Sequence, residues 1–285
     1  MGLLNKIGKK SKTIVLIAAA VIGISFFAFF GQDEAQLQTY DGPPRAVIID
    51  QLYDEMPNKE FHTKATEYLE GAGYLVDIVT TQDITVDYYK NLPKMNYEFV
   101  VVRTHGAENV NDVVVFTGER YTEEQYISEQ LLGQVKKAAP LLERMYKVSD
   151  DDSSEWVIVN ETYRYKVTPA NPINESENEY FAISADLVKH AMKGKFNDTL
   201  FVLGGCNTLS NPSLGQALLD KGASTVIGWD NTVGNADNDQ ALLRFLDNYL
   251  NQEKNLDESI EDVKRVHNPE WMVYPANFVY LSGSA

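Results

Sequence analysis

The chain is arranged around one segment, TLFVLGGCNTLS at residues 199–210. Its apolar part, residues 200–203, is too short for a buried helix and predicts a central strand of a sheet. Gly204, Gly205 and Cys206 then lie at the carboxyl end of that strand, where open α/β sheets bind their ligands. The glycines allow a close backbone approach, and the thiol after them would be presented to a bound molecule. For a lone cysteine, a small buried apolar residue is the alternative interpretation.

The rest of the sequence alternates between apolar strands and amphipathic helices. This alternation predicts a parallel sheet with right-handed crossovers. The predicted strands are residues 45–50, 74–79, 97–104, 199–203, 225–229 and 277–281, and the predicted helices are 58–70, 86–92, 184–192, 212–221, 240–250 and 257–267. Residues 111–180 do not follow this alternation and predict an insertion or flap, with a helix at 123–138 and a hairpin at 156–167. A polar loop is predicted separately at 230–239.

The amino terminus predicts a membrane anchor. A lysine-rich tail, residues 1–12, precedes residues 13–30, which carry no charge and are long enough to cross a bilayer core of ~30 Å. The positive-inside rule keeps the tail in the cytoplasm and places the following chain outside. A cleaved signal peptide is the alternative, but no small-residue cleavage pattern follows the apolar run. We therefore expect a single-pass signal anchor, a linker at 31–44 and one extracytoplasmic domain at 45–285.

Charge and residue composition limit the kinds of partner and cofactor that the chain is expected to bind. The net charge of −16 at pH 7 argues against a nucleic-acid partner. A single cysteine excludes an intramolecular disulfide. The four histidines and the cysteine lack metal-ligand spacing, which argues against a zinc site, and no cofactor is expected. The acidic run at 149–155 is interpreted as a solvated loop, with a structural calcium ion as the alternative.

Two predicted strands end in groups that carry chemistry. His105 follows the strand at 97–104, and Cys206 follows the strand at 199–203. Neighbouring strands are ~4.8 Å apart, so both side chains would open into one cleft if these strands are adjacent. A thiolate would attack a carbonyl there, the imidazole would protonate the leaving amine, and the backbone N–H groups of Gly106 and Cys206 would hold the oxyanion.

These segments resemble a known family. VVVRTHG at residues 100–106 and FVLGGC at 201–206 resemble the catalytic motifs of the caspase-like (clan CD) cysteine peptidases. Residues 213–229 are similar to the segment after the catalytic cysteine in the gingipain-like and CHAT branches. The resemblance, over roughly residues 45–250, implies a three-layer α/β sandwich with a mostly parallel central sheet. It also implies His105 as proton donor and Cys206 as nucleophile; Gly205 departs from the alanine or serine of many relatives.

The resulting hypothesis is a membrane-anchored extracytoplasmic cysteine endopeptidase, a thiol-protease hydrolase that acts on a peptide or protein. In caspase-like enzymes, the loop after the first strand and the segment after the cysteine strand line the pocket for the residue before the scissile bond. Here these regions offer Asp50, Asp54, Trp229 and Asp230. The carboxylates of the three aspartates would favour lysine or arginine in the substrate. Two alternatives are a catalytically inactive caspase-like domain that binds a peptide or protein, and a tethered solute-binding protein.

Overall fold

The computed structural model describes residues 42–109, 112–139, 145–150, 153–158, 179–266 and 275–283. Within them the fold is mixed α/β, built on a six-stranded sheet in the order β2-β1-β3-β10-β11-β12. Its strands are β1 (Arg45–Asp50), β2 (Leu75–Thr80), β3 (Phe99–Arg103), β10 (Thr199–Gly204), β11 (Ala223–Trp229) and β12 (Phe278–Ser282). All neighbours are parallel except β11 and β12.

The central strands are buried on both faces, which explains their continuous apolar sequences. Every residue of β3 and β10 is buried, as is all of β1 after Arg45. Such runs are typical of parallel strands covered by helices on both sides. The chain proceeds from β1 outward to β2 and then returns to the other side of β1 with β3. A reversal of this kind opens a crevice at the carboxyl ends of the two strands.

Helices cover both faces of the sheet, an arrangement consistent with a three-layer sandwich. One face is covered by α1 (Lys59–Gly71), α6 (Asn235–Leu246) and α7 (Leu256–Val266). The opposite face is covered by α2 (Val86–Asn91), α4 (Ala185–His190) and α5 (Ser213–Asp220). Side chains cap at least three of these helices: Asn58 accepts from the Phe61 N–H at the start of α1, Thr85 accepts from the Tyr88 N–H at the start of α2, and Ser184 accepts from the Asp186 N–H at the start of α4.

The segment between β3 and α4 forms a second, antiparallel sheet. Its order is β4-β5-β9-β6, with β4 (Gly106–Asn109), β5 (Asp112–Arg120), β6 (Val135–Ala138) and β9 (Tyr180–Ile183). Val113, Val115 and Phe181 join it to the core on the α2, α4 and α5 face. A separate hairpin, β7 (Met145–Asp150) and β8 (Ser153–Ile158), contains residues 149, 150 and 153–155 of the acidic run, which was expected to be a loop. The calcium alternative concerns acidic side chains outside the described part of the structure.

Two local predictions are wrong. The helix expected at 123–138 is reduced to α3 (Ile127–Leu131), since Gly133 turns the chain with φ +70° and β6 then pairs with β9. The polar loop expected at 230–239 ends early because α6 already begins at Asn235.

No helix among the described residues has the length and apolar character needed to cross a membrane. The predicted anchor at 13–30 lies outside those residues.

Candidate active site

The register of the sheet brings three strand ends to the same level. Asp50 of β1 lies beside Arg103 of β3, and Arg103 lies beside Gly204 of β10. The backbone ladder continues beyond them, with Gln51 N–H donating to the Arg103 carbonyl at 2.8 Å and Thr104 N–H to the Gly204 carbonyl at 2.9 Å. β3 and β10 are therefore neighbours, and their following residues share one edge of the sheet.

The backbones that carry His105 and Cys206 are in direct contact. A Cβ added at Gly106 would lie 2.2 Å from the Cys206 carbonyl oxygen, and one added at Gly205 would lie 2.5 Å from the Thr104 carbonyl oxygen. No side chain fits at either position without moving the backbone. Glycine at both positions allows the two segments to approach this closely.

His105 is held by two residues of the loop that follows β1. Its backbone N–H donates to Gln51 Oε1 at 3.0 Å, and its Nε2 lies 3.1 Å from Glu55 Oε2. The ring packs 5.6 Å from that of Phe116, centroid to centroid, and only 12% of the side chain is exposed. The hydrogen bond with His105 lowers the pKa of the Glu55 carboxyl below its usual range, despite partial burial. Glu55 is therefore ionised at neutral pH.

Cys206 contacts the loop between β11 and α6. Its Sγ donates to the Val233 carbonyl oxygen at 3.4 Å, and the next residue, Asn207, donates its N–H to the Asn231 carbonyl at 3.0 Å. Burial raises the pKa of the Cys206 thiol, and backbone hydrogen bonds oppose this only in part. The thiol is therefore protonated at neutral pH. Among the described contacts there is no hydrogen bond between Sγ and His105.

A buried ionic network lies beneath these two residues. Arg103, 1% exposed, donates Nε and Nη2 to the Asp239 carboxylate and Nη1 to the Asp50 carboxylate, at 2.6 to 3.2 Å. Its Nη2 also donates to the Met56 carbonyl at 2.8 Å. His62 Nε2 lies 2.6 Å from the second oxygen of Asp50. The network therefore joins β1, β3 and α6 and fixes the backbone next to Glu55.

Three of the four residues predicted to bind substrate are occupied by internal contacts. Asp50 has no exposed surface and belongs to the Arg103 network. Trp229 is 1% exposed and donates Nε1 to Asn238 Oδ1 at 2.9 Å. The Asp230 carboxylate accepts two hydrogen bonds from Asn277, one from the backbone N–H of Asn277 and one from its side-chain amide. A peptide would reach these groups only if the contacts opened.

Asp54, the fourth residue, lines a cavity of about 600 Å³ beside His105. The cavity lies at the carboxyl ends of β1 and β2. Residues of both following loops line it, together with residues of β5 and β9: Gln51, Asp54, Glu55, Thr81, Gln82, Gly118, Arg120 and Tyr180. Its wall is closely packed at Gly118, where an added Cβ would lie 1.6 Å from the Thr81 carbonyl oxygen.

Sequence patterns did not identify Glu55 or Gln51 as site residues. Both follow β1, at the point where the strand order reverses, and this position is the signal that would have identified them. Their contacts with His105 arise between chain segments some 50 residues apart. No protein-family model matches the chain, and a search of curated proteins finds no match.

Proposed function

We propose that this chain is a membrane-anchored, extracytoplasmic cysteine endopeptidase of the caspase-like type, with Cys206 as nucleophile and His105 as its acid and base. The observation that carries the proposal is the direct contact between the His105–Gly106 and Gly205–Cys206 backbones at the ends of adjacent parallel strands. The strand order, with its reversal between β1 and β3, is compatible with a ligand crevice at that edge. The anchor rests on residues 13–30 of the sequence.

The proposed reaction uses groups already at this edge. His105 removes the thiol proton, and Cys206 Sγ attacks the substrate carbonyl carbon to form a tetrahedral oxyanion near the N–H groups of Gly106 and Cys206. The C–N bond then breaks as the imidazolium protonates the leaving amine. Water attacks the thioester, which releases the carboxylic acid and restores the thiol. Glu55, bonded to Nε2, would stabilise the imidazolium and leave Nδ1 for proton transfer.

The thiol must first leave its resting position. Cys206 Sγ is bonded to the Val233 carbonyl, and burial raises the pKa of the thiol. Displacement of the loop at Val233 would expose Sγ and allow its side chain to turn toward the imidazole. The resting geometry therefore corresponds to a latent enzyme, and substrate entry is the step that would release it.

Thiol labelling tests this assignment on the full-length chain. Iodoacetamide should modify Cys206 slowly at pH 7, and the rate should still be rising above pH ~8.5, the ordinary cysteine value, because burial raises the pKa of this thiol. A panel of peptidyl acyloxymethyl ketones should place an adduct on Cys206. The Cys206→Ala variant should have no peptidase activity. Activity that survives in this variant, or an adduct elsewhere, would contradict the proposal.

Glu55→Gln should lower kcat by roughly ten- to a hundredfold with little change in KM. The variant removes a charge-assisted hydrogen bond that supports the protonated imidazole, and such bonds contribute ~1.5–3 kcal/mol. Steady-state kinetics on a cleaved peptide provide the measurement. Glu55→Asp keeps the charge and should recover part of the loss. Equal kcat values for all three proteins would show that Glu55 does not act through His105.

A catalytically inactive peptide-binding domain is the second candidate. The observation that favours it is the thiol bonded to the Val233 carbonyl rather than to His105. Under this alternative, Cys206→Ala should leave partner binding intact, and ketone probes should produce no adduct at any pH. The same labelling experiment therefore separates the two candidates.

A further inference from the structure

The loop that follows β1, residues 51–56, holds the imidazole of His105. Gln51 Oε1 accepts from the His105 N–H at 3.0 Å, and Glu55 Oε2 lies 3.1 Å from His105 Nε2. Both contacts join chain segments that are distant in sequence, so no helix or strand maintains them locally. A shift of this loop would therefore move both partners of the imidazole.

Two buried, charged side chains fix the ends of this loop. At its start, Asp50 Oδ1 accepts from the Leu52 N–H at 3.0 Å. At its end, Arg103 Nη2 donates to the Met56 carbonyl at 2.8 Å. Asp50 and Arg103 are also bonded to each other. The position of Glu55, which lies between these two ends, therefore depends on the orientation of the Asp50 carboxylate.

His62 of α1 fixes that orientation. Its Nε2 lies 2.6 Å from Asp50 Oδ2, and because a carboxylate only accepts hydrogen bonds, Nε2 is the donor. The two oxygens of Asp50 then have four contacts, one with His62, one with the Leu52 N–H and two with Arg103 Nη1. Without His62, Oδ2 would keep only its 3.2 Å contact with Arg103. The carboxylate could then turn toward the guanidinium and weaken its bond to the loop backbone.

The His62 ring also packs against the middle of the loop. The ring of Tyr53 meets it edge-on, with centroids 5.3 Å apart and an interplanar angle of 71°. Aromatic pairs are favourable at this separation and angle. The His62 side chain is only 13% exposed, so it is enclosed by these neighbours. His62 therefore contacts both the start of the loop and the residue two positions before Glu55.

We propose that His62 is a positioning residue that holds Glu55 against the His105 imidazole. It acts through its hydrogen bond to Asp50 and its ring contact with Tyr53. None of its described contacts reaches His105, so it is not a catalytic residue itself. The proposal rests on the proposed peptidase function and deepens it.

A double-mutant cycle on the full-length protein tests this route. His62→Phe keeps a ring beside Tyr53 but removes the donor to Asp50, and it should lower kcat roughly three- to tenfold with little change in KM. In the Glu55→Gln background the same substitution should change kcat by less than about twofold, because the group through which it acts is already lost. Equal effects in the two backgrounds would reject this route.

Three further variants serve as controls. His62→Gln keeps an N–H donor for Asp50 and should recover most of the lost kcat. His190→Phe, at the exposed end of α4, should leave kcat unchanged. Tyr53 is 43% exposed, so Tyr53→Leu should fold even if His62→Phe does not, and it should lower kcat roughly two- to tenfold. A His62→Gln enzyme as slow as His62→Phe, or full activity in Tyr53→Leu, would contradict the proposal.

A titration without turnover separates this proposal from the peptidase assignment. The hydrogen bond with His105 lowers the pKa of the Glu55 carboxyl. In the full-length Cys206→Ala protein, NMR titration should show that His62→Phe raises this pKa toward its ordinary value and that His62→Gln does not. That rise in a chain that cleaves no peptide would retain the positioning role and reject the enzyme. Peptide cleavage with kcat and the Glu55 pKa both unchanged by His62→Phe would retain the enzyme and reject the positioning role.

Discussion

Alanine at position 106 should lower kcat/KM by about 10²-fold or more. The new Cβ would lie 2.2 Å from the Cys206 carbonyl oxygen and 3.1 Å from Thr208 Cγ2, so the backbone beside the proposed nucleophile must move. A displacement of about 1 Å at reacting groups costs on the order of 10²-fold in rate. The strain should also lower the free energy of unfolding by ~1–3 kcal/mol. Peptide hydrolysis and urea denaturation measure the two effects.

Gly71→Ala is the matched control. The nearest atom to its added Cβ is Asn251 Oδ1 at 3.8 Å, an ordinary contact, and the residue lies at the end of α1. This substitution should leave activity unchanged and stability the same or slightly higher, since alanine favours helix. If Gly106→Ala behaved like Gly71→Ala, the backbone contact would have no part in the site.

Arg103→Met should produce the largest loss of stability, about 3–5 kcal/mol in the free energy of unfolding. The side chain is 1% exposed and neutralises two carboxylates, Asp50 and Asp239, which would be left buried without their main partner. Removal of one partner from a buried ionic group costs this much because the remaining charge stays away from water. Methionine fills much of the same volume, so loss of charge dominates. Denaturant titration at pH 7 measures the change.

An exposed arginine provides the comparison. Arg244 pairs with Asp262 at 2.8 Å and its side chain is 44% exposed. Surface pairs contribute ~0–1 kcal/mol, so Arg244→Met should change stability by no more than that. A loss in Arg103→Met no larger than in Arg244→Met would show that water or rearrangement compensates the buried carboxylates.

Sequence patterns predicted the parallel sheet because its central strands are buried on both faces and therefore consist of short apolar runs. β1 and β3 are recognisable from RAVIID and FVVVR, and the capping residues Asn58 and Ser184 mark helix starts. The insertion was less predictable. Residues 123–138 carry helix-forming side chains, but pairing of β6 with β9 overrides that propensity after Gly133.

The candidate site was predictable only where it depends on strand ends. His105 and Cys206 follow apolar runs, so their placement at one edge follows from the sheet. The interactions that occupy Asp50 and Trp229 do not follow from local sequence, because their partners Arg103 and Asn238 come from other elements. The same holds for the contact of Glu55 with His105 and for the cavity, which require the β1 and β2 loops to meet β5 and β9.

The burial of Cys206 against the loop at Val233 has a chemical consequence for a protein with one thiol. Oxidants attack the thiolate, and the sulfur bonded to Val233 remains protonated at neutral pH because burial raises its pKa. In an oxidising compartment such a sulfur resists sulfenic acid formation and disulfide exchange with other chains. A single residue that is easily lost to oxidation would thus be preserved in reduced form until its loop opens.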